Sequence, residues 1–340
     1  MKKVIFLIFL HIISKQSDAS MVEIGEKLNN KPVVVELNKG KLALRYRLQT
    51  DEFGDLSHNT LQDQVLFDIS IGFLQNQVKI NFTLASGGKF TGGWGDLGLG
   101  SHDPALEIYL KRLTLTLNPT EGLSLSVGSM APEYGAGSEN SYFDKDGSIM
   151  GYRAKVAIHN GELVVTGGFV GDYENPNVFN RMHYLGEVNY VQMILTQAIG
   201  EIVKASVDYT NHDQTNYLRA AVQFKVDKWV NFLDSITLED LVALSRDDLK
   251  NVFAVKLSKK FKSLIAGKDL KAGLVYAFNP NDIEMLIGDK IVDGHSIRVQ
   301  LAIPNIIKTK SASYGVFFDV LESLTDLRQV RAELGLMIKF

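Results

Sequence analysis

The residues whose types and spacing could do chemistry are basic ones set two apart. Lys41, Arg45 and Arg47 share one parity of a segment whose other parity, Leu42, Leu44, Tyr46 and Leu48, is apolar. Lys79, Arg112, Arg153 and Lys155 repeat the arrangement further along. Side chains two apart on an extended chain point to the same side, so each set projects from one face. Lys204, Arg219, Lys225, Lys256, Lys271, Arg298, Arg331 and Lys339 extend it, while the acids assigned to that face are fewer: Asp68, Glu187, Asp208, Asp319 and Glu333. Such a wall in contact with water concentrates anions through its field, and no bond has to be made or broken.

Other chemistry has less behind it. His58, His102, His183, His212 and His295 fall between the alternating segments, with no metal-pair spacing and no serine tied to them. Asp144-Lys145-Asp146-Gly147-Ser148 lacks the carboxylates of a calcium loop and reads as an acidic turn. Ser86-Gly87-Gly88-Lys89 is no phosphate loop, and the glycines of 86–100 with Trp94 read as a flexible outer loop. No catalytic residue, cofactor or metal is expected.

The elements that must carry these residues show a period of two. Val65 to Phe73 and Val78 to Leu84 alternate cleanly, joined across Gln75-Asn76-Gln77, and the pattern recurs in segments of about ten residues to the end of the chain. Weaker strands are placed near 184–194, 201–210 and 234–245, where Asp240 would face lipid if the last were regular. Glu107, Tyr109 and Lys111 run out of phase with Leu113 onward, which predicts a bulge or a late strand start. The total is about sixteen strands: an all-β, transmembrane antiparallel β-barrel over 41–340. Short turns alternate with longer polar connections at 49–63, 86–105, 130–147, 172–183 and 279–293, as in a barrel with both ends in the periplasm. Residues 227–233, with Trp229 and Phe232, read as a longer periplasmic turn.

Ahead of the barrel, Met1-Lys2-Lys3 and the apolar run Val4–Ile13 are too short to span a bilayer and read as a signal peptide over 1–19, with a cleavage site at Ser17-Asp18-Ala19. Segment 20–40 is a periplasmic arm or the start of the first strand. The chain has no cysteine and a net charge of -3, which excludes a disulfide framework and argues against nucleic-acid binding.

Two motifs carry a family resemblance. The last strand, Ala332, Leu334, Leu336, Ile338 and terminal Phe340, resembles the C-terminal signature of outer-membrane barrels. That resemblance makes Phe340 an assembly signal for the barrel-assembly machinery. Pro132-Glu133-Tyr134-Gly135, followed by Glu139, Asp144 and Asp146, resembles the third outer loop of the general porins of Gram-negative bacteria. By that resemblance the loop folds into the barrel, Glu133 is its carboxylate, and Arg45, Arg47, Lys79 and Arg112 oppose it. A looser resemblance, to alginate-export-type channels, rests on the basic lumen and on Tyr152-Arg153 after Asp146-Gly147.

The expectation is therefore an outer-membrane porin that passes small hydrophilic solutes and favours anions or acidic sugars. Its surroundings would be outer-membrane lipid. A monomer and a homo-trimer both fit, because lipid-facing and subunit-facing residues are alike apolar. The alternatives are an outer-membrane hydrolase, adhesin or receptor on a similar barrel.

Overall fold

The computed structural model describes residues 33–51, 53–88, 93–100, 107–136, 141, 147–172, 174–213, 215–244, 249–280, 291–325 and 329–340. The signal peptide expected at 1–19, most of segment 20–40, His102, and the loop acids Glu139, Asp144 and Asp146 lie outside them.

Seventeen strands follow in chain order among the described residues: β1 (Val34–Thr50), β2 (Leu56–Phe73), β3 (Val78–Ser86), β4 (Gly95–Gly100), β5 (Ile108–Thr120), β6 (Leu123–Met130), β7 (Ile149–Ile158), β8 (Gly161–Phe169), β9 (Tyr190–Ile199), β10 (Val203–His212), β11 (Thr215–Lys225), β12 (Ser235–Leu244), β13 (Leu249–Ile265), β14 (Lys268–Asn279), β15 (Gly294–Lys308), β16 (Ser313–Ser323) and β17 (Val330–Lys339). One turn of helix, α1 (Val178–Arg181), precedes β9. All pairings are antiparallel, and β1 pairs with both β2 and β17, so the sheet closes on itself. Closure leaves the ring itself without an edge among the described residues.

Sixteen strands make the ring, because β4 does not go round. It pairs only with the far half of β2, at Thr60–Asp63, beyond the point where β3 ends, and β3 pairs directly with β5. The end of β17 and the turns 74–77, 121–122, 159–160, 200–202, 226–234, 266–267 and 309–312 share one rim, called proximal here; the opposite rim is called distal.

The surface is inside-out relative to a protein in water. On β17, Leu334 and Leu336 are 61% and 57% exposed, whereas Arg331 and Glu333 beside them are 7% and 6% exposed. The same inversion separates Leu218 from Arg219 and Leu238 from Glu239. A continuous apolar belt of this kind is unstable against water and stable against acyl chains. Among the described residues no helix is long and apolar enough to cross a membrane.

Several boundaries differ from the sequence reading. The connection expected at 49–63 shrinks to 51–55, since β2 continues to Leu56 as a polar extension paired with β1 and β4, a stretch without the apolar alternation that marks a lipid face. The strand expected near 184–194 starts at Tyr190, which puts Glu187 in an exposed connection and not on the lumen wall. His58, His212 and His295 lie within the ends of β2, β10 and β15 and not in loops. The phase break before Leu113 is a bulge: Thr83 pairs with Arg112 and Leu84 with Leu110, leaving Lys111 as the extra residue of β5.

At the proximal rim, the Phe340 N–H donates to the Gly40 carbonyl at 3.0 Å. Its ring lies where a side chain at position 40 would stand, 3.1 Å from an added Cβ, beside Phe67. The longest proximal turn, 226–234, carries Trp229 and Phe232 at 66% and 77% exposure.

Strand β12 is regular, with unbroken register to β11 and β13, so Asp240 faces outward between Ala220 and Phe253. One of its carboxylate oxygens is buried with no hydrogen-bond partner. An acid near mid-strand on a lipid face is destabilising by up to about 2 kcal/mol, less than a base at the same depth. Asp240→Leu is therefore expected to raise the temperature at which the folded band is lost in a heat-modifiability gel. An unchanged or lower temperature would show that the carboxylate has a favourable partner in the membrane.

Candidate functional site

The lumen wall is built from the parity opposite the lipid belt, and its charges sort into two groups on opposite sides. On one side the register of β1 with β17 sets Arg47 directly across from Glu333 and Arg45 across from Gly335. Arg45 Nη1 reaches Glu333 Oε2 at 2.9 Å, Arg47 donates to Glu333 Oε1 from Nε at 2.8 Å and Nη2 at 2.6 Å, and Arg331 lies 3.6 Å from the same carboxylate. Three guanidinium groups thus share one acid. Gln62 of β2 accepts from Arg45 Nε at 2.9 Å. Next along the wall, Arg298 binds Asp319 through both its oxygens, at 2.7 and 2.6 Å, and Gln300 donates to the second at 3.0 Å. Fork-to-carboxylate pairing of this kind holds planar groups in fixed positions.

Trp94 completes this side. It stands just before β4, inside the barrel, with the Arg45 guanidinium 4.0 Å and the Lys41 Nζ 5.3 Å from its ring centre. The flexible outer loop expected there instead delivers its tryptophan to the lumen, because stacking on a cation compensates the ring for leaving the loop.

On the other side the described residues of the connection 131–148, namely 131–136, 141, 147 and 148, meet one strand of the inner wall after another. Glu133 Oε1 pairs with Arg153 Nη1 at 3.0 Å and Lys155 Nζ at 2.5 Å, both on β7. Arg153 also donates to the Ala131 carbonyl at 2.6 Å and to Thr166 of β8 at 2.9 Å. The Glu133 carbonyl accepts from Gln192 of β9 at 3.5 Å, and the Ala136 carbonyl from Ser206 of β10 at 3.5 Å. Ser141 is then gripped by β11 and β12. Arg219 Nε donates to its hydroxyl at 2.9 Å and Arg219 Nη2 to its carbonyl, while its N–H and hydroxyl donate to Glu239 Oε2 at 3.2 and 3.0 Å. The return is held by Arg112, which donates to the Gly147 carbonyl at 2.7 Å. Ala131–Ala136, Ser141 and Gly147 of this connection therefore lie against the inner wall of the barrel. Beyond it, inward Tyr217, Leu241, Ala243, Val252, Ala254 and Ala277 pack with Ile291 of the loop before β15.

What stays open is a cavity of about 880 Å³ along β1, β2 and β13 to β17. Nine basic and three acidic side chains line it. Its acids Glu333 and Asp319 are already engaged by arginines, whereas Lys271 has no hydrogen-bond or ion-pair partner among the described residues.

The residues picked from sequence thus divide by role. Arg45 and Arg47 stand on the cavity wall. Arg112, Glu133, Arg153 and Lys155 hold the inward connection, and Glu133 faces the bases of its own neighbouring strand, not Arg45 and Arg47. Lys79 points inward one residue from the start of β3, next to the proximal turn. Trp94, Ser141 and Glu239 were missed. Trp94 and Ser141 sit in connections, where parity has no meaning, and Glu239 was hidden by the weak pattern of its strand.

No protein-family profile and no curated protein sequence matches the chain. Solved structures do match in fold. A mutant of the Rh. blastica porin aligns with a TM-score of 0.56 at 10% identity, covering 90% of this chain and 100% of that one. A variant of OccD1 (OprD) aligns at 0.50 and 10% identity, covering 94% and 98% of the two chains. OmpT, an outer membrane protein of Vibrio cholerae, aligns at 0.50 and 11% identity, covering 93% and 99%. The chain shares with these proteins a porin-like fold, here a closed antiparallel barrel of sixteen strands.

Proposed function

We propose that the chain is an outer-membrane porin, a passive diffusion channel for small hydrophilic solutes that favours anions or acidic sugars. The observation that carries this reading is the one-sided cavity, in which basic side chains outnumber acidic ones by nine to three. Field lines in a narrow aqueous passage are focused by its low-dielectric walls, so an excess of fixed positive charge raises the local anion concentration. Transport of this kind needs no cofactor and no turnover.

The same reading assigns 1–19 as the export signal and the strand ending in Phe340 as the segment handled by the barrel-assembly machinery. Outer-membrane lipid covers the apolar belt. A homo-trimer is compatible with that belt.

Reconstitution of the full chain in a planar bilayer tests the proposal. Stepwise conductance in potassium chloride is expected, with a reversal potential in a salt gradient that reports chloride passing in preference to potassium. Absence of conductance overturns the channel reading. A cation-selective reversal potential overturns the anion preference.

A further inference from the structure

Two inward aromatic rings, Phe317 and Trp94, stand among the charged and polar side chains that line the cavity. Phe317 of β16 points inward and packs against Gly335 of β17, so close that a Cβ at 335 would stand 2.4 Å from two of its ring carbons. Trp94 meets it at a ring-centre distance of 6.5 Å and an angle of 55°. Together they form a corner, with Phe317 as the floor and Trp94 as the tilted wall. Lys41 and Arg45 are set against the tryptophan, and Arg298 and Lys271 line the same cavity.

A passage that only sorted ions by charge would have no use for this corner. Apolar ring faces next to water are a cost unless something covers them, and a second ring packs best in offset or tilted geometry at such separations. Arg45 and Arg298 are already engaged by Glu333 and Asp319, whereas Lys271, on the same cavity and without an acidic partner among the described residues, can take a carboxylate. We infer that the Trp94–Phe317 corner is a binding subsite for carboxylates that carry a six-membered ring, the ring resting on Phe317 against Trp94 and the carboxylate held by the basic wall. The inference rests on the channel reading and narrows its solute class. The shared chemistry is a flat apolar face joined to an anion, and it belongs to both aromatic acids and uronic acids.

The test is block of chloride current through the full-length protein in a planar bilayer by benzoate, glucuronate and the acyclic butyrate, each as its potassium salt. Benzoate, glucuronate or both should block at concentrations about three- to tenfold lower than butyrate, the range an aromatic contact supplies. Which of the two does so identifies the ring chemistry. Trp94→Ala and Phe317→Leu should each remove most of that advantage while chloride still passes, and Trp94→Phe should restore part of it. If Trp94 served only to tether its loop, Trp94→Ala would change the chloride conductance and leave the ratio of ring acid to butyrate unmoved. That result, or equal block by all three acids in the unmodified protein, overturns the subsite. A bilayer without chloride current overturns the channel reading itself, so the two failures are distinguishable.

Discussion

In Arg219→Ala, the barrel is expected to remain folded while the inward connection leaves the wall, so that a high-conductance level becomes the dominant state of the channel. Arg219 is 5% exposed and makes both bonds to Ser141 as well as a 3.3 Å contact to Asp208. Asp208 and Glu239 are each 1% exposed. Removing one member of a buried ionic cluster costs about 3–5 kcal/mol, because the remaining charge is stranded away from water. Here the lumen offers relief that a closed core does not. If the connection lifts, water reaches both carboxylates, so the cost falls on docking of the connection and not on the strand ladders. A change of that size shifts the docked-to-undocked ratio by about 10² to 10⁴. Arg219→Lys should behave much like the alanine variant, since the donors of an ammonium sit on one nitrogen and cannot reproduce the planar fork from which Nε, Nη1 and Nη2 reach three acceptors. Single-channel recording reads the conductance, and heat modifiability in a gel reads the barrel. Unchanged conductance with an intact barrel would show that Ser141 is held by other contacts.

The contrast between ladder and connection also explains what could be read from the chain beforehand. Strand parity was legible because lipid on one side and water on the other impose opposite demands on Leu334 and Glu333, on Leu218 and Arg219. The bulge at Lys111 announced itself as a break of that parity. Inward cations could therefore be named without coordinates. Their partners could not. Whether Glu133 meets Arg45 or Arg153 depends on the path of a connection, and no periodicity constrains that path. A glycine-rich stretch with one tryptophan, such as 86–94, looks the same in sequence whether its ring faces solvent or stacks on Arg45. The extension of β2 to Leu56 was invisible for a related reason: beyond the apolar belt the strand is paired with β1 and β4 but has no lipid to mark one of its faces.

Partner assignment changes which residues are the right probes of the lumen. Arginines of the wall are engaged with acids: Arg45, Arg47 and Arg331 with Glu333, and Arg298 with Asp319. Four guanidinium groups share two carboxylates, so half of their charge is balanced locally, and their geometry is structural. Reversing Arg45 or Arg47 would bring a new carboxylate against Glu333, so a change in selectivity would be entangled with a change in fold. Lys271 sits differently, with no hydrogen-bond or ion-pair partner among the described residues. A compact ammonium on a flexible stem stays hydrated and acts as a point charge on passing ions.

Lys256→Glu combined with Lys271→Glu is accordingly expected to remove most of the anion preference. Both residues line the open cavity, and the double reversal lowers its excess of basic over acidic side chains from six to two. A unit charge about 10 Å from a permeating ion contributes about 0.4 kcal/mol in water. At about 0.1 M salt that distance is one screening length, which cuts the term roughly threefold. Four units of change then amount to about 0.6 kcal/mol, a factor of about three against anions and the same factor in favour of cations. The ratio of chloride to potassium permeability should fall about tenfold, and by much less at about 1 M, where the screening length is near 3 Å. Reversal potentials at the two salt concentrations measure both effects in one preparation. The salt dependence separates a field effect from damage to the wall, because a collapsed or distorted lumen would alter conductance at every ionic strength alike. If the double variant keeps its selectivity at low salt, the solute path does not run along β13 to β17, and the excess charge of this cavity is not what sorts the ions.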